Sequence, residues 1–506
     1  MVSRALISVY NKHGLLDFAR GLNELNIEII STGGTAKVLR EANVPVTDVS
    51  KITNFPEIMD GRIKTLHPKI AAGILGKRDK HEKEAHEQQI PWIDLVVCNL
   101  YPFAETIAKP NIDLETALEN IDIGGPTMLR AAAKNFPWVG VVVDTDDYTK
   151  VLQELQENNK QLSSKTLKQL AAKAFAHVAQ YDSLIAEYIN DELFPQQLTL
   201  SFNKISELRY GENPHQRGCL YQSIGKQDSL LTAKQHQGKQ LSFNNIVDAD
   251  AALGCLKEFS EPACVIVKHT NPCGVAEHKN INQAFFNAWH ADSTSAFGGI
   301  VVLNHTCSKE IAAHIADVFV EVLVAPDYTE EALQILQKKL NLRVLQIKSS
   351  GEPQQKYKFK YVDGGMLLQT SDDKKITAND LKIVTKITPS EQQITNLLFA
   401  WKVVKHVKSN AVVIANDKIT LGVGCGQVSR VDSVRISIQK AGDFLDNAVL
   451  ASDAFFPFKD SIDLIANTRI NAIIQPGGSI RDAEVITACN EYNIAMVFTG
   501  IRCFNH

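Results

Sequence analysis

The sequence predicts an α/β fold, because apolar runs of strand length alternate with helical patterns along the N-terminal part of the chain. The runs expected to form strands are residues 5–10, 27–30, 94–100 and 139–143. Helices are expected at 15–25, 36–41, 129–134 and 164–189. This order predicts a parallel sheet with helices on both faces. The rest of the chain is also mixed α/β, with apolar strands at 263–267 and 411–415.

Residues 190–197, which contain Pro195 and follow the long predicted helix, are the best candidate for a domain boundary. We therefore expect two domains, 1–195 and 196–506. The polar stretch 349–360 predicts a divide between two subdomains near 350–360. No fixed-period repeat is visible in the sequence.

Composition excludes several classes of protein. The 506 residues are 44% hydrophobic and 22% charged, as is usual for a globular protein. The formal net charge of −4 argues against electrostatic binding of nucleic acid or anionic lipid along the whole chain. No apolar run approaches the roughly 18 residues that a membrane helix needs, and the N-terminal apolar stretch is too short for a secretory signal. The nine cysteines include no pair at two-residue spacing, so neither a disulfide framework nor a structural zinc site is expected. The chain is predicted to be cytoplasmic.

Two loops near the N-terminus suit an anion. Ser31–Thr35 lies between a predicted strand and a helix, where glycine N–H groups and the helix N-terminus favour phosphate; a tight βα turn is the alternative. Lys12, His13 and Gly14 follow the first strand and would lie at the same end of a parallel sheet. That end is where such sheets bind ligands.

Three further segments add polar side chains to the same predicted crevice. Gly61–Pro68 is basic, and its interspersed apolar residues favour binding of an anionic substrate over a fully solvated loop. Asn99–Phe103 directly follows a strand, and Asp122–Gly125 interrupts a helical pattern. Each could be an ordinary turn, but together they supply a phenol, a carboxylate and flexible backbone.

The strongest local pattern is Lys268–Gly274, predicted as a loop after the strand 263–267. An adjacent ammonium disfavours the imidazolium form, so His269 is expected to be neutral and able to accept a proton near pH 7. A structural histidine is the alternative.

Metal and dinucleotide sites are not predicted. His81 and His86 are spaced i and i+5, so they cannot share a zinc ion from one helix face. The segment His269–Ala276 lacks the glutamate and the second cysteine of zinc deaminases. Gly422–Gly426 has the wrong glycine spacing for a dinucleotide fingerprint and predicts a turn. Phe455–Asp460 suits either a core or a flat heteroaromatic ligand.

These motifs, in this order, resemble the family in which phosphoribosylaminoimidazolecarboxamide (AICAR) formyltransferase is fused to inosine monophosphate (IMP) cyclohydrolase. The matching runs span the whole chain: STGGT (31–35), GRIKTLHP (61–68), NLYPF (99–103), IDIGGPTMLRAAAKN (121–135), LRYGENPHQ (208–216), KHTNPCG (268–274), SAFGGI (295–300), SDAFFPF (452–458) and FTGIRCFNH (498–506).

The resemblance implies a methylglyoxal-synthase-like N-terminal domain that carries the cyclohydrolase. It implies a C-terminal region of two cytidine-deaminase-like α/β subdomains without zinc. The formyl donor would be 10-formyltetrahydrofolate, and no catalytic metal is expected. The implied activity is the last two steps of IMP synthesis: formylation of AICAR, then dehydrative closure of formyl-AICAR. The family also implies a homodimer whose transferase site is shared between chains, with no nucleic-acid or membrane partner.

The resemblance also implies roles for individual residues. Those implied to be catalytic are Lys64, Tyr101, Asp122 and Lys134 in the cyclohydrolase and Lys268, His269 and Asn410 in the transferase. Those implied to bind the cyclohydrolase nucleotide are Tyr10, Asn11, Lys12, Thr32, Gly33, Gly34, Thr35, Arg62, Ile63, Thr65, Cys98, Asn99 and Ile123. Those implied to bind AICAR in the transferase are Arg209, Tyr210, Gly298, Glu321, Phe455 and Arg502, and those implied to bind folate are Arg430, Asp460, Ser479 and Ile480.

Two rival classes of function stay open on the sequence: a zinc nucleobase deaminase-like enzyme, and a non-catalytic nucleotide-binding sensor. Bound metal would distinguish the first, and nucleotide binding without folate-dependent turnover would distinguish the second.

Overall fold

A computed structural model describes residues 1–224, 229–348 and 357–506 of the chain. These residues form two compact units. Unit 1 consists mainly of Met1–Asn203, and unit 2 contains Lys204–Tyr221 and the chain that follows it to His506. The predicted divide near 350–360 falls largely on residues 349–356, which lie outside the described part of the chain. No described helix is both long and apolar enough to cross a membrane.

Unit 1 is built on a five-stranded sheet in which every pairing is parallel, as the alternation of patterns predicts. Its strands are β1 (Arg4–Val9), β2 (Glu28–Ser31), β3 (Thr47–Asp48), β4 (Leu95–Asn99) and β5 (Gly140–Val142), and their spatial order is β3-β2-β1-β4-β5. The order reverses at β1, so the loops after β1, β2 and β4 come together at the carboxyl ends of the strands. That is the place where ligands bind open parallel sheets.

Ten helices belong to unit 1, and the long one has the predicted bounds. They are α1 (Leu15–Glu24), α2 (Gly33–Glu41), α3 (Val49–Thr53), α4 (Pro68–Leu75), α5 (Glu82–Glu87), α6 (Phe103–Ile107), α7 (Leu114–Glu119), α8 (Gly124–Lys134), α9 (Tyr148–Glu157) and α10 (Ser164–Ile189). Helix α10 begins at an N-cap serine, Ser163, whose Oγ accepts the Thr166 N–H. Its apolar face, including Leu170 and Val178, joins the core around the sheet.

Unit 2 is built on a twelve-stranded mixed sheet, ordered β16-β21-β20-β19-β17-β18-β10-β9-β11-β12-β13-β8. Its strands are β8 (Lys234–Gln237), β9 (Ala263–Lys268), β10 (Asn271–Glu277), β11 (Ile300–Leu303), β12 (Val322–Ala325), β13 (Arg343–Gln346), β16 (Lys382–Ile383), β17 (Val412–Asn416), β18 (Ile419–Gly424), β19 (Val449–Ser452), β20 (Ala472–Gln475) and β21 (Ala495–Phe498). Two hairpin-like pairs lie outside it: β6 (Phe202–Leu208) with β7 (Gly218–Ser223), and β14 (Tyr357–Val362) with β15 (Gly365–Thr370).

The described part of unit 2 contains nine α-helices: α11 (Phe243–Leu256), α12 (Ile281–Ala291), α13 (Ser293–Ala296), α14 (Lys309–Asp317), α15 (Glu330–Leu336), α16 (Glu391–Val404), α17 (Arg430–Ala441), α18 (Asp460–Ala466) and α19 (Asp482–Glu491). Helices α11 and α16 pack over the apolar cluster on one face of the sheet. The other face is covered by two separate clusters, one for each half.

Unit 2 contains an internal structural repeat, although no fixed period is visible in its sequence. An antiparallel hairpin, a helix and three parallel strands occur twice, as β9–β13 and as β17–β21. The two copies join where β10 pairs antiparallel with β18, at Ala276 and Ile419.

Two segments predicted as loops are strands. Residues 268–274 form the turn of a hairpin and the strand residues next to it, because β9 continues to Lys268 and β10 begins at Asn271. Gly422 and Gly424 lie within β18. A Cβ atom on either would stand 2.0 Å from a carbonyl oxygen of α17, at Ser437 and Ser433 respectively. These glycines therefore allow close packing of helix on strand rather than a turn.

Candidate active sites

The loop after β1 is fixed to the end of β4 by one asparagine side chain. Asn99 Oδ1 accepts the N–H groups of Tyr10 and Asn11 at 2.6 and 2.9 Å, and Asn99 Nδ2 donates to the Asn11 carbonyl at 3.1 Å. Lys12 Nζ donates to the carbonyls of Val9 and Tyr10, each at 3.2 Å. A lysine ammonium therefore stands over the carboxyl end of β1.

The Thr32–Thr35 segment begins helix α2 next to that loop. Thr32 is the N-cap, and no side chain caps the helix, so its first N–H groups are available to an anion. Gly33 has φ +54°, a backbone region that favours glycine. Thr35 is buried, and its Oγ1 exchanges hydrogen bonds with the N–H and the carbonyl of Val9 at 3.1 and 3.0 Å. The Thr35 hydroxyl thus ties α2 to β1.

Lys64 and Asp122 approach the same crevice from separate loops. A Cβ on Gly33 would lie 3.8 Å from Lys64 Nζ, which places the ammonium beside the glycine loop. Asp122 Oδ1 accepts the Gly125 N–H at 2.8 Å. Burial raises the pKa of the Asp122 carboxyl, and the Gly125 N–H and the Lys64 charge offset part of the rise. A half-buried carboxyl that holds its proton unusually well, near a cation, is a candidate for proton transfer.

Glycines at the start of α8 let these groups approach one another. A Cβ on Gly124 would lie 2.9 Å from Thr65 Oγ1, and one on Gly125 would lie 2.5 Å from Asp122 Oδ2. The Asp122–Gly125 segment therefore begins a helix rather than interrupting one, and the helix N-terminus faces Asp122.

Most of the other predicted cyclohydrolase residues lie around this crevice. The rings of Tyr10 and Tyr101 meet edge to face with centroids 5.9 Å apart. Cys98 is buried in β4, and burial, with a contribution from Asp122, raises the pKa of its thiol, so it stays protonated. Ile123 is exposed, and Ile63 forms an isolated bridge with Ile58.

Two predicted residues are exposed, and no contact with the other members of the cluster is seen for them among the described residues. Arg62 is exposed and forms an ion pair with Glu119. Lys134 is exposed at the C-terminal end of α8, about 15 Å along the helix axis from Gly124. The catalytic role of Lys134 stays a prediction.

The structure adds residues that the sequence did not single out. Glu57 accepts a hydrogen bond from the Thr32 hydroxyl. Both line a cavity of about 390 Å³ together with Asp48, Val49, Ser50, Phe55, Pro56 and Lys64. The Tyr181 hydroxyl accepts the Asp122 N–H at 2.7 Å and donates to the Asn120 carbonyl at 3.2 Å. Nothing local in α10 marks Tyr181 as part of a site, because only the fold brings it to Asp122.

In unit 2, His269 occupies the apex of the β9–β10 hairpin. His269 and Thr270 have φ +52° and +64°, so both turn residues are left-handed, and Thr270 is β-branched, for which this region is unfavourable. Thr270 N–H donates to Asp248 Oδ1 at 2.7 Å, and Asn271 Nδ2 donates to the His269 carbonyl at 3.1 Å. The turn is held rigidly while the imidazole stays exposed.

Lys268 is half-buried beside the next loop. Its Nζ donates to the Phe297 carbonyl at 2.6 Å and lies 4.0 Å from where a Gly298 Cβ would be. Gly298 has φ +72°, and its missing side chain leaves space between Lys268 and the Phe319 ring. Glu321 precedes β12 and is paired with Arg343 at 2.6 Å.

Asn410 belongs to a buried polar cluster. Its Nδ2 donates to the Gln427 carbonyl at 2.9 Å, and its Oδ1 accepts from Arg430 Nη2 at 2.8 Å. Arg430 is buried and forms an ion pair with Asp453, whose side chain is fully buried. Arg430 Nη1 also donates to Ser452 Oγ at 2.7 Å. Arg430 therefore orients Asn410, and its implied contact with folate stays a prediction.

The remaining predicted transferase residues are exposed, except for Tyr210 and Ser479, which are half-buried. Phe455 is 40% exposed, and Arg502 lies over the ring of Phe504 at 4.9 Å. Asp460 begins α18, and Ser479 and Ile480 precede α19, with Ile480 fully exposed. Separately, Arg209 stacks on its neighbour Tyr210 at 4.7 Å in the segment after β6.

Apart from Arg209 and Tyr210, the predicted transferase residues lie at one rim of the unit 2 sheet, which we call rim A. Rim A is the side at which β9 ends and β10 begins. Strands β11 and β12 also begin there, because β11 runs antiparallel to β9 and β12 runs parallel to β11. The antiparallel pairing of β10 with β18 reverses the second copy, so β18, β19, β20 and β21 all end at rim A. Lys408 N–H donates to Asn271 Oδ1 at 2.9 Å, which links the two copies at this rim.

No group of three or more histidine, cysteine, aspartate or glutamate side chains in the described part of the chain could hold a metal ion. Residues 225–228 and 349–356 lie outside that statement.

Comparison with known proteins finds two family models that match successive parts of the chain. A family model described as "AICARFT/IMPCHase bienzyme" matches residues 132–440, and one described as "MGS-like domain" matches residues 14–127. The second match confirms the predicted methylglyoxal-synthase-like N-terminal fold. The cytidine-deaminase-like character of the C-terminal region stays a prediction.

Full-length relatives carry the name "Bifunctional purine biosynthesis protein PurH". The protein of that name from Acetivibrio thermocellus is 50% identical over 515 residues, covering 100% of both chains. Its counterpart from Anoxybacillus flavithermus is 51% identical over 512 residues, again covering 100% of both. The crystal structure of ForH is 34% identical, covers 38% of this chain and 100% of its own, and has a TM-score of 0.35. The full-length identity and the family match together show that this chain belongs to the AICARFT/IMPCHase bienzyme family.

Proposed function

We propose that the protein catalyses the two reactions of its family in succession: transfer of a formyl group from 10-formyltetrahydrofolate to the 5-amino group of AICAR, then closure of formyl-AICAR to IMP. Membership of the family supports both activities. The observation that carries the assignment of residues is the rigid hairpin turn that presents His269 beside Lys268 at rim A.

Formyl transfer needs a base, because the lone pair of the AICAR amine is delocalised into an imidazole that carries a carboxamide. The amine nitrogen bonds to the formyl carbon, the bond from that carbon to N10 of tetrahydrofolate breaks, and the proton lost by the amine ends on N10. The exposed imidazole of His269 suits the carrier of that proton. The Lys268 ammonium donates one of its three N–H groups to the Phe297 carbonyl. The other two are available to the formyl oxygen, which gains negative charge during the transfer.

Ring closure makes different demands, because both reacting groups belong to one molecule. The carboxamide nitrogen bonds to the formyl carbon and water leaves, so the site must hold a folded conformer and move protons. The uncapped start of α2 suits the phosphate, and the Asp122 carboxyl with Lys64 suits the proton transfers. Among Lys64, Tyr101, Asp122 and Lys134, the proton path is not assigned.

The cyclohydrolase belongs, in this proposal, to residues 1–195 and the transferase to residues 196–506. Phe455, Asp460, Ser479 and Ile480 form an exposed apolar and polar surface at rim A that suits a flat pterin. We place the protein in the cytosol as a homodimer whose chains share the transferase site. The exposed rings of Phe297 and Phe319, 5.4 Å apart beside Gly298, suit coverage by a second copy.

The experiment is to incubate the purified protein with AICAR and 10-formyltetrahydrofolate and to follow tetrahydrofolate and IMP separately. We expect both products from the wild type. His269→Ala should lower formation of tetrahydrofolate by about 10²- to 10⁴-fold while leaving closure of added formyl-AICAR unchanged. Equal loss of both activities would indicate misfolding rather than a missing base.

The same assay separates the rival classes. A nucleotide sensor would bind AICAR without forming tetrahydrofolate. A zinc deaminase-like enzyme would carry stoichiometric metal in elemental analysis and release ammonia.

A further inference from the structure

The internal repeat of unit 2 makes it possible to compare the catalytic hairpin with a second hairpin of the same architecture. Helix α11 precedes β9–β10 in the first copy, and α16 precedes β17–β18 in the second. Ser242 and Ser390 cap these helices, and each takes part in a capping box with the residue three positions on. The copies are therefore in register from their first residue.

A helix-to-strand contact is also repeated. Asn245 Nδ2 donates to Glu321 Oε2 at 3.4 Å in the first copy, and Gln393 Nε2 donates to Asn471 Oδ1 at 2.8 Å in the second. Contacts that persist although the residue types differ belong to the shared scaffold.

The hairpin turns are repeated as well, down to their backbone conformation. Asp417 and Lys418 have φ +48° and +58°, as His269 and Thr270 have φ +52° and +64°. In each copy the second turn residue donates its N–H to a side chain one helical turn beyond the capping box. Thr270 donates to Asp248 Oδ1 at 2.7 Å, whereas Lys418 donates to Asn396 Oδ1 at 3.3 Å.

The two copies differ where the turn is hardest to form. A β-branched threonine is disfavoured at positive φ, whereas the second copy has unbranched Lys418 at the same position. The copy with the less favourable turn has the carboxylate and the shorter bond, and the copy with the easier turn has the neutral amide. Hydrogen bonds to a charged acceptor are stronger than bonds to an amide.

We propose that Asp248 is a positioning residue of the formyl transfer, holding the strained His269–Thr270 turn so that the imidazole keeps its productive place. The inference rests on the proposed transferase and deepens it. Asp248 acts through the turn backbone, so its removal should lower kcat more than it raises KM for AICAR.

The test is a double-mutant cycle between Asp248 and Thr270, with Asn396→Ala as the matched control in the second copy. We expect Asp248→Ala to lower kcat of formyl transfer by about 100-fold, the loss typical of a small misplacement of a catalytic group. Asp248→Asn, which gives the Thr270 turn the neutral acceptor that Asn396 provides in the second copy, should recover only part of that loss. Thr270→Gly removes the steric cost of positive φ, so Asp248→Ala should cost only a few fold in that background. Asn396→Ala should leave kcat unchanged.

Two results would overturn the inference while leaving the proposed function intact: an unchanged kcat in Asp248→Ala, or the same loss in the threonine and glycine backgrounds. The second would mean that Asp248 acts on the substrate rather than on the turn. Closure of formyl-AICAR, measured on every variant, reports on unit 1 and should not change. Failure of the wild type to form tetrahydrofolate would instead refute the proposed function itself.

Discussion

The buried ion pair between Arg430 and Asp453 gives the sharpest test of how rim A is built. The two side chains are 5% and 0% exposed, so neither charge is compensated by water. Arg430 also donates to Ser452 Oγ at 2.7 Å and to Asn410 Oδ1 at 2.8 Å. The carboxylate balances the guanidinium, and the guanidinium in turn orients Asn410.

Asp453→Ala should be severely destabilising, because it leaves Arg430 as an uncompensated buried charge. Removing one partner of a buried pair costs about 3–5 kcal/mol. With a urea m-value of about 3 kcal/mol per M, near the top of the range for small proteins, the midpoint of unit 2 should fall by about 1–1.7 M. Replacing both residues, as Arg430→Met with Asp453→Leu, should cost less than Asp453→Ala, because no buried charge is left and the groups that lose a donor, such as Ser452 Oγ and Asn410 Oδ1, are neutral.

The double variant also separates stability from function. It lacks the Arg430–Asn410 bond, so formyl transfer should fall although the fold is retained, and closure of formyl-AICAR should continue at the wild-type rate. Stability is measured by urea unfolding followed by circular dichroism, and the two activities are assayed apart. A midpoint for Asp453→Ala within about 0.3 M of the wild type would refute the reasoning, as would full transferase activity in the double variant.

Two further predictions concern titrating groups. Burial raises the pKa of Asp122, so the rate of formyl-AICAR closure should begin to fall on acidification at a higher pH than for an ordinary aspartate. Lys64→Met removes a positive charge that lowers the pKa of Asp122, so it should move the acidic limb of the pH–rate profile to still higher pH. Lys134→Met should leave this limb in place, and a pH–rate profile of each variant is the measurement. Burial also tends to raise the pKa of Glu258, but His406 and Lys405 outweigh it and lower the pKa to about 2. This group therefore stabilises the fold above pH of about 4.5 and the contribution is lost as pH falls toward 2, so Glu258→Gln should lose on the order of 3 kcal/mol at pH 7 and much less at pH 2; urea midpoints lowered equally at both pH values would contradict this.

Much of unit 1 could be predicted from sequence because its local patterns agree with its tertiary structure. The apolar run 95–99 forms a buried strand, and the 26 residues of α10 are those predicted. The end of the sheet that binds ligands followed from topology alone, since loops after parallel strands must meet there. The position of Lys134 relative to Gly124 did not follow from the sequence, because the helix was predicted only at 129–134, whereas α8 begins at Gly124.

Unit 2 was harder to predict because its key elements contradict local rules. Strand β10 begins Asn-Pro-Cys-Gly, and proline and glycine normally argue against a strand interior. The turn His269–Thr270 carries a β-branched residue where hairpins prefer asparagine or glycine, so nothing in it indicates a two-residue turn. Both departures lie at the proposed centre of catalysis, where local preference is often sacrificed for function.

A search of the sequence for a fixed period misses the repeat for a related reason: the two copies make equivalent contacts with different residue types. Asp248 and Asn396 accept the same hydrogen bond from the second turn residue of their hairpins. Glu321 and Asn471 accept a hydrogen bond from the side chain at the same position of the preceding helix. In neither pair are the two acceptors the same residue type. The two copies place a hydrogen-bond acceptor at the same position, but the acceptor belongs to a different residue type in each copy, so a sequence comparison does not match them. A period search therefore fails where a comparison of hydrogen bonds succeeds.

The antiparallel junction between the copies explains why two similar hairpins yield one catalytic centre. Because β10 and β18 run in opposite directions, the first hairpin turns at rim A and the second turns at the opposite rim. In the second copy, strands β18, β19, β20 and β21 all end at rim A. The segments that follow these strands carry Arg430, which bonds to Asn410, and also Phe455 and Ser479. One copy thus contributes the Lys268–His269 turn, and the other contributes a binding surface at the carboxyl ends of parallel strands. With Asn416 and Asp417 in place of the lysine and histidine, the second hairpin has no comparable proton carrier. Its polar side chains are used for internal bonds, such as that of Asn396 Nδ2 to Asn416 Oδ1 at 2.9 Å. The two copies therefore share a backbone arrangement, but only the first carries a lysine and a histidine at its hairpin turn, so the proposed catalytic groups lie at rim A.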